Sequence, residues 1–240
     1  RVVMKAIKHD VAIYAIHTNL DNVLWGVNAK IMELLGVQNH SILSPMKGAL
    51  KKFQVYVPVA SVASLEAAVF NAGGGKVSAY EECSFKTEGI GSFKGTEGTT
   101  PVIGKVGERE FVEEAKLEFI VPAFAQRAVE KAARTAHPYE EMAYEWLAVE
   151  NVAAQYGAGA VGELAQEMKF DTFLALVKKA FGTTIKYTPA VKGTVKRVAV
   201  CGGSGSFLLG AAKGSGADVF ITADYKYHQF FDADGSLSIF

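Results

Sequence analysis

The stretch Val195–Asp224, VKRVAVCGGSGSFLLGAAKGSGADVFITAD, decides the fold class. It reads as an apolar strand, a glycine turn, a helix and a second apolar strand. That is a βαβ unit, which requires parallel strands and a right-handed crossover. The turn, CGGSGS at Cys201–Ser206, stands where strand becomes helix. Glycines there let backbone amides face an anion at the helix N-terminus. However, the third glycine of a dinucleotide fingerprint is missing from its spacing, and no Gly-Lys-Ser/Thr follows. A tight βα turn in which glycine supplies the backbone angles is the plainer reading.

Outward from this unit the α/β grammar continues. TFLALVKKAFG (Thr172–Gly182) predicts a helix with a stripe of Phe173, Leu174, Val177 and Phe181. Asp171 is placed to cap it, and Lys178 and Lys179 suit its C-terminal dipole. NVAAQYGAGAVGE (Asn151–Glu163) is rich in glycine and alanine and reads as a crossing linker. Near the start, RVVMKAIKHD has a helical pattern and Val11–Ile16 reads as a buried strand. VNAKIMELLG (Val27–Gly36) predicts a helix with Gly36 at its C-terminal cap, and HSILSPMKGAL (His40–Leu50) a connection.

The middle of the chain has its own pattern. Lys52–Val57 is strand-like, and SVASLEAAVFNAGGG (Ser61–Gly75) reads as a helix capped by Ser61. KVSAYEECSF (Lys76–Phe85) predicts a second strand, and KTEGIGSFKGTEGTTP (Lys86–Pro101) a long loop. In VEEAKLEFIVP, Ala115, Leu117 and Phe119 alternate with Glu114, Lys116 and Glu118, as in a half-buried strand. AFAQRAVEKAARTA is amphipathic at helical spacing, and HPYEEMAYEWLAVE returns as a strand. The order βαββαβ is the ferredoxin-like plan. The expected division is a discontinuous α/β domain, residues 1–50 and 150–240, interrupted by an insert at 51–149.

Composition excludes several classes. Of 240 residues, 25 are basic and 25 acidic, and half are apolar, which leaves no acidic tail or basic nucleic-acid arm. No apolar run approaches the roughly 20 residues that span a bilayer, and no signal peptide is visible. Cys83 and Cys201 have no metal-type spacing. A cytoplasmic protein with neither membrane nor nucleic-acid partner is expected. The chain opens in the body of a helix and stops on the strand-like DGSLSIF, so a fragment of a longer polypeptide is also expected.

Three polar clusters carry chemical content. HTNLD (His17–Asp21) follows the apolar run at Val11–Ile16, and TADYKYH (Thr222–His228) follows the last strand of the βαβ unit. Ligands of open α/β sheets bind beyond the carboxyl ends of strands. If both strands share one parallel sheet, His17, Asp21, Asp224 and His228 converge. Imidazole and carboxylate donors suit Zn, Mn, Fe or Ni. A Thr/Asn/Asp turn that satisfies its own backbone is the alternative. The third cluster, TAHPYEE, sets His137 beside two carboxylates, and a helix-to-strand corner with solvated acids is the simpler reading.

Six segments taken together are similar to one known family. AIYAIHTNLDNVLWGVN (Ala12–Asn28), SFKGTEGTTPVIGKVGE (Ser92–Glu108), AHPYEEMAYEWLAVEN (Ala136–Asn151), GAGAVGEL (Gly157–Leu164), VAVCGGSG (Val198–Gly205) and TADYKYHQF (Thr222–Phe230) resemble the GTP cyclohydrolase I type 2 homolog family, also called Nif-three-like. The resemblance covers nearly the whole chain in order. It implies a two-part α/β domain interrupted by a ferredoxin-like insert similar to the PII and CutA folds. It also implies a ring-like homohexamer with two divalent metal ions per subunit. In that family the ligands are a His-His pair, the aspartate of HTNLD, and a His and a Glu of a later GHYESE-like motif. Carried over by position, only Asp21 is present: the His-His pair would precede Arg1 and the last motif would follow Phe240. His17, Asp224 and His228 would line the site. The implied function is metal-dependent hydrolysis of a nucleotide or other small phosphorylated substrate. The alternatives are a non-catalytic regulatory protein whose insert senses a small molecule through Lys86–Pro101, and a purely structural assembly protein.

Overall fold

The structure, a computed structural model, describes residues 1–240. In chain order, α1 (Val2–Lys8), α2 (Thr18–Asp21) and α3 (Val27–Leu34) precede β1 (Val37–Pro45). Then come β2 (Leu50–Pro58), α4 (Val62–Asn71), β3 (Phe85–Lys94), β4 (Arg109–Pro122), α5 (Gln126–Ala136) and β5 (Tyr144–Ala148). The chain closes with β6 (Gly157–Lys169), α6 (Phe170–Phe181), β7 (Thr194–Ser204), α7 (Leu209–Gly214), β8 (Val219–Ala223) and β9 (Ser238–Ile239). Contacts divide it into two units, one made of Arg1–Met46 with Ala154–Phe240 and the other of Lys47–Ala153. No helix is long and apolar enough to cross a membrane.

The discontinuous unit is a three-layer α/β structure. Its sheet has the order β1-β6-β7-β8-β9, with β7, β8 and β9 parallel and β1, β6 and β7 antiparallel. Strands buried on both faces need apolar side chains at successive positions. In β7 and β8, Val198, Val200, Val219 and Ile221 join α3 and α6 in one core. Ala199, Cys201 and Phe220 join α7 in the other. The βαβ unit expected from Val195–Asp224 is therefore present, with its parallel register running from Val198 opposite Val219 to Cys201 opposite Thr222.

Asp218 anchors the start of β8. Its Oδ2 accepts the backbone N–H groups of Lys196 and Arg197 at 2.9 and 2.8 Å, and Oδ1 accepts from Lys192 Nζ at 2.6 Å. Burial alone would raise this carboxyl, but the Arg197 and Lys196 N–H donors and the Lys192 ammonium outweigh it and hold it below the ordinary range.

The continuous unit is a two-layer structure with the order βαββαβ. Its sheet is antiparallel throughout, ordered β3-β4-β2-β5. Here the strands alternate as half-buried strands should. Ala115, Leu117, Phe119 and Val121 face the core with Phe53, Val55 and Val57, where Leu65 and Val69 of α4 and Val129 and Ala133 of α5 cover them. The intervening Glu114, Lys116 and Glu118 are only half-buried.

Five readings of the sequence are corrected. Val11–Ile16 is not a strand: it is exposed and pairs with no strand, and β7 and β9 already flank β8. His40–Leu50, read as a connection, holds most of β1. Gly157–Glu163, read as linker, opens β6. Its glycines answer close approaches, because a Cβ on Gly157 would lie 2.3 Å from the Ser44 carbonyl oxygen and one on Gly162 would lie 2.7 Å from that of Gln38. Lys76–Ser84 is not a strand, and β3 instead begins at Phe85 and occupies the first part of the expected loop. Asp171 lies inside the first turn of α6 rather than at its cap.

Asp218→Asn lowers the unfolding free energy by about 1–3 kcal/mol at neutral pH, the value of hydrogen bonds to a charged group. The depressed folded pKa makes this contribution complete above the unfolded carboxylate value, roughly pH 4, and lost as pH falls through the lower folded value. Urea titrations of the two proteins therefore differ at pH 7 and converge in acid.

Candidate functional site

The carboxyl ends of β7 and β8 gather the residues with chemical content. β7 runs out through Cys201, Gly202, Gly203 and Ser204, and β8 through Thr222 and Ala223. Thr222 Oγ1 donates to the Gly203 carbonyl at 3.0 Å, which ties the two strand ends together. Gly203 adopts φ +75°, a left-handed conformation that favours glycine. A Cβ on Gly205 would lie 2.5 Å from Thr222 Oγ1 and 2.6 Å from Cys201 Cβ. The glycines of CGGSGS are thus required by turn geometry and packing. A single 3-10 turn, Ser206–Leu208, and the six-residue α7 follow the turn.

Asp21 is brought to this place by α3. Asn28, 3% exposed, donates from Nδ2 to the Asp21 carbonyl at 2.9 Å and accepts the Gly202 N–H on Oδ1 at 2.8 Å. The Asp21 side chain is half-buried and makes no hydrogen bond or ion pair. Its charge is felt nearby: burial, and secondly the Asp21 carboxylate, push the Cys201 thiol up to about 11. Cys201 is therefore a protonated, buried thiol rather than a nucleophile.

The other expected residues are placed as follows. His17 precedes α2, is exposed and takes φ +40°. Asp224, just past β8, is exposed with φ +53°. His228 is exposed on the 3-10 segment Tyr227–Ala233. No three or more His, Cys, Asp or Glu side chains are grouped to hold a metal ion, so the donors among these residues do not by themselves fit one. The route expected for convergence, a Val11–Ile16 strand in the parallel sheet, is absent.

His137 of the HPYEE segment is 7% exposed and fully used by the fold. Nε2 meets the Tyr56 carbonyl at 2.8 Å and Nδ1 accepts the Tyr139 N–H at 3.1 Å, which specifies a neutral imidazole with its proton on Nε2. Sequence reasoning missed Asn28. Its one visible signal was position, an asparagine inside a helix whose first turn follows HTNLD.

The whole chain is similar to known proteins. A model of the Duf34/NIF3 (NGG1p interacting factor 3) family matches residues 1–239. The GTP cyclohydrolase 1 type 2 homolog of Bacillus subtilis is 42% identical over 235 residues, 97% of this chain and 63% of that protein. The homolog of Mycobacterium leprae is 35% identical over 95% of this chain and 60% of its own length. Among solved structures, a Bacillus cereus protein related to NIF3 superposes with a TM-score of 0.81 at 39% identity, over 99% of this chain and 64% of the other. Staphylococcus aureus protein SA1388 gives a TM-score of 0.67 at 28% identity, over 99% and 62%. The chain thus spans less than two thirds of the length of these relatives.

At pH 8 a thiol reagent labels Cys83 and leaves Cys201 unmodified until the protein unfolds. In a Cys83→Ser background, Asp21→Asn lowers the Cys201 pKa, read from thiolate absorbance against pH, and an unchanged titration refutes the proximity.

Proposed function

The chain belongs to the Duf34/NIF3 family, and from that premise we propose that a protein of its relatives' length is a divalent-metal-dependent hydrolase of a nucleotide or other small phosphorylated substrate. The observation that carries this reading is the Asp21 carboxylate, half-buried, unpaired and held at the carboxyl ends of β7 and β8. That is where α/β sheets collect ligand-binding groups. The relatives' name, GTP cyclohydrolase 1 type 2 homolog, supports hydrolysis of a nucleotide. One carboxylate does not make a metal site. In this proposal Asp21 supplies one ligand to a pair of ions of the Zn, Mn, Fe or Ni class, and further donors come from outside the 240 residues. His17, Asp224 and His228 are proposed to line that site. Within the present residues, α3 orients Asp21, and burial keeps the neighbouring Cys201 thiol protonated and out of the chemistry. The assembly is proposed to be a cytoplasmic homohexamer.

The continuous unit is proposed to be a ferredoxin-like insert, supported by its βαββαβ order and its β3-β4-β2-β5 antiparallel sheet. One feature favours a second, regulatory reading. The strand β3 and the segment after it are almost wholly exposed, with the Thr100 N–H held by Glu140 at 3.0 Å. Exposed loops on a rigid sheet often carry ligand contacts.

In a protein of the relatives' length, Asp21→Asn weakens Mn2+ uptake by about tenfold or more, because losing even a group that only supports a metal ligand costs about that much and Asp21 is proposed as a ligand itself. It also abolishes turnover in a screen of nucleotides and phosphoesters. Wild-type protein that takes up no Mn2+ or Zn2+, or a variant that binds and turns over as wild type does, removes the hydrolase reading. Deleting residues 51–149 separates the two readings, because retained hydrolysis with lost response to small molecules marks the insert as a sensor.

A further inference from the structure

We propose that Asn28 is the positioning residue of the site, its side-chain amide clamping the Asp21 turn to the glycine turn at the end of β7. A primary amide offers a donor and an acceptor in one plane, and both are used here on backbone groups. Nδ2–H serves Asp21, seven residues earlier, and Oδ1 serves Gly202, which is 174 residues later. Neither bond caps Asn28's own helix, whose N-terminal cap is Gly26.

The surroundings leave this clamp little freedom. A Cβ on Gly202 would lie 2.8 Å from Val27 Cγ1, so the first turn of α3 rests directly on the backbone of β7. A Cβ on Gly26 would lie 1.8 Å from the Leu20 carbonyl oxygen, so the chain doubles back from α2 to α3 along bare backbone. Asn28 hydrogen-bonds Asp21 at its backbone carbonyl and not at its carboxylate. It therefore acts on the carboxylate through its location, leaving both carboxylate oxygens available to a ligand. The functional weight of the clamp rests on the reading of Asp21 as a site residue.

Amide hydrogen exchange of the 240-residue chain tests the clamp without any metal. In Asn28→Leu, which keeps the branched shape but loses both bonds, the Gly202 amide and those of Leu20, Asn22 and Leu24 exchange about tenfold faster or more. The amides of Val198 and Val219 keep their wild-type rates. Asn28→Asp at pH 7.5 retains an acceptor for Gly202 but no donor for Asp21, so only the 20–24 amides accelerate. This split is not produced by a merely structural role, which would speed exchange throughout the unit. Wild-type exchange at 20–24 in Asn28→Leu, or uniform acceleration in both variants, overturns the proposal. Should Asn28→Leu fail to fold, Asn28→Asp alone decides. In the longer protein, equal Mn2+ affinity of wild type and Asn28→Asp also overturns it. Absence of Mn2+ uptake by wild type instead sinks the hydrolase reading, and exchange still decides the clamp.

Discussion

Burial of β7 on both faces is the constraint on which the discontinuous unit depends. Val198 and Val200 enter one core while Ala199 and Cys201 enter the other. A strand so placed has no water for its backbone groups, which must all be paired by neighbouring strands or side chains. β6 on one side and β8 on the other meet that demand, and Asp218 completes it at the near end by accepting the N–H groups of Lys196 and Arg197. At the far end the ladder runs out at glycines, and side chains from elsewhere take over the pairing.

That takeover is what gathers side chains from distant segments at the end of β7. The Gly202 N–H is paired by Asn28 and the Gly203 carbonyl by Thr222. The same satisfaction of orphaned backbone groups draws α3, the Asp21 turn and the end of β8 to one place. The outcome is a carboxylate held firmly by its backbone and left free at its oxygens. Cys201, beside it, shows the opposite case: buried and facing a negative charge, its thiol is held near 11 and serves packing.

The continuous unit obeys a different rule. Its sheet has one core face, so its strands alternate and its opposite face carries charges and aromatics. Glu130 on α5 organises the rim of the covered face, where Tyr144 and Trp146 pack against the core. Partial burial raises its carboxyl, yet Tyr144 Oη, Trp146 Nε1 and Arg134 all donate to it and bring it below the usual range. Arg134 also lies 4.8 Å over the Tyr144 ring, which joins α5 to the edge strand β5. His137 is absorbed in the same way, with both ring nitrogens spent on backbone.

Local chemistry was legible in the sequence wherever it sufficed to form structure. The helices α3, α4, α5 and α6 follow from apolar periodicity, Gly36 and Gly182 end two of them at positive φ, and Val195–Asp224 announces its βαβ unit. The alternation of Ala115, Leu117 and Phe119 likewise marks a one-faced strand. The family, and with it the interest of Asp21, could also be read from ordered motifs. What only the tertiary structure decided were the elements that exist by virtue of their neighbours. β1, β3 and β6 looked like connection, loop and linker because they carry turn-forming residues, and in β6 Gly157 and Gly162 are there to accommodate the close-lying β1. Val11–Ile16 looked like a strand and pairs with none. Asn28 stayed invisible as a clamp because its partner, Gly202, lies 174 residues away. Pairing of backbone groups across such distances is settled by which segments the core brings together, and no short window of sequence contains that information.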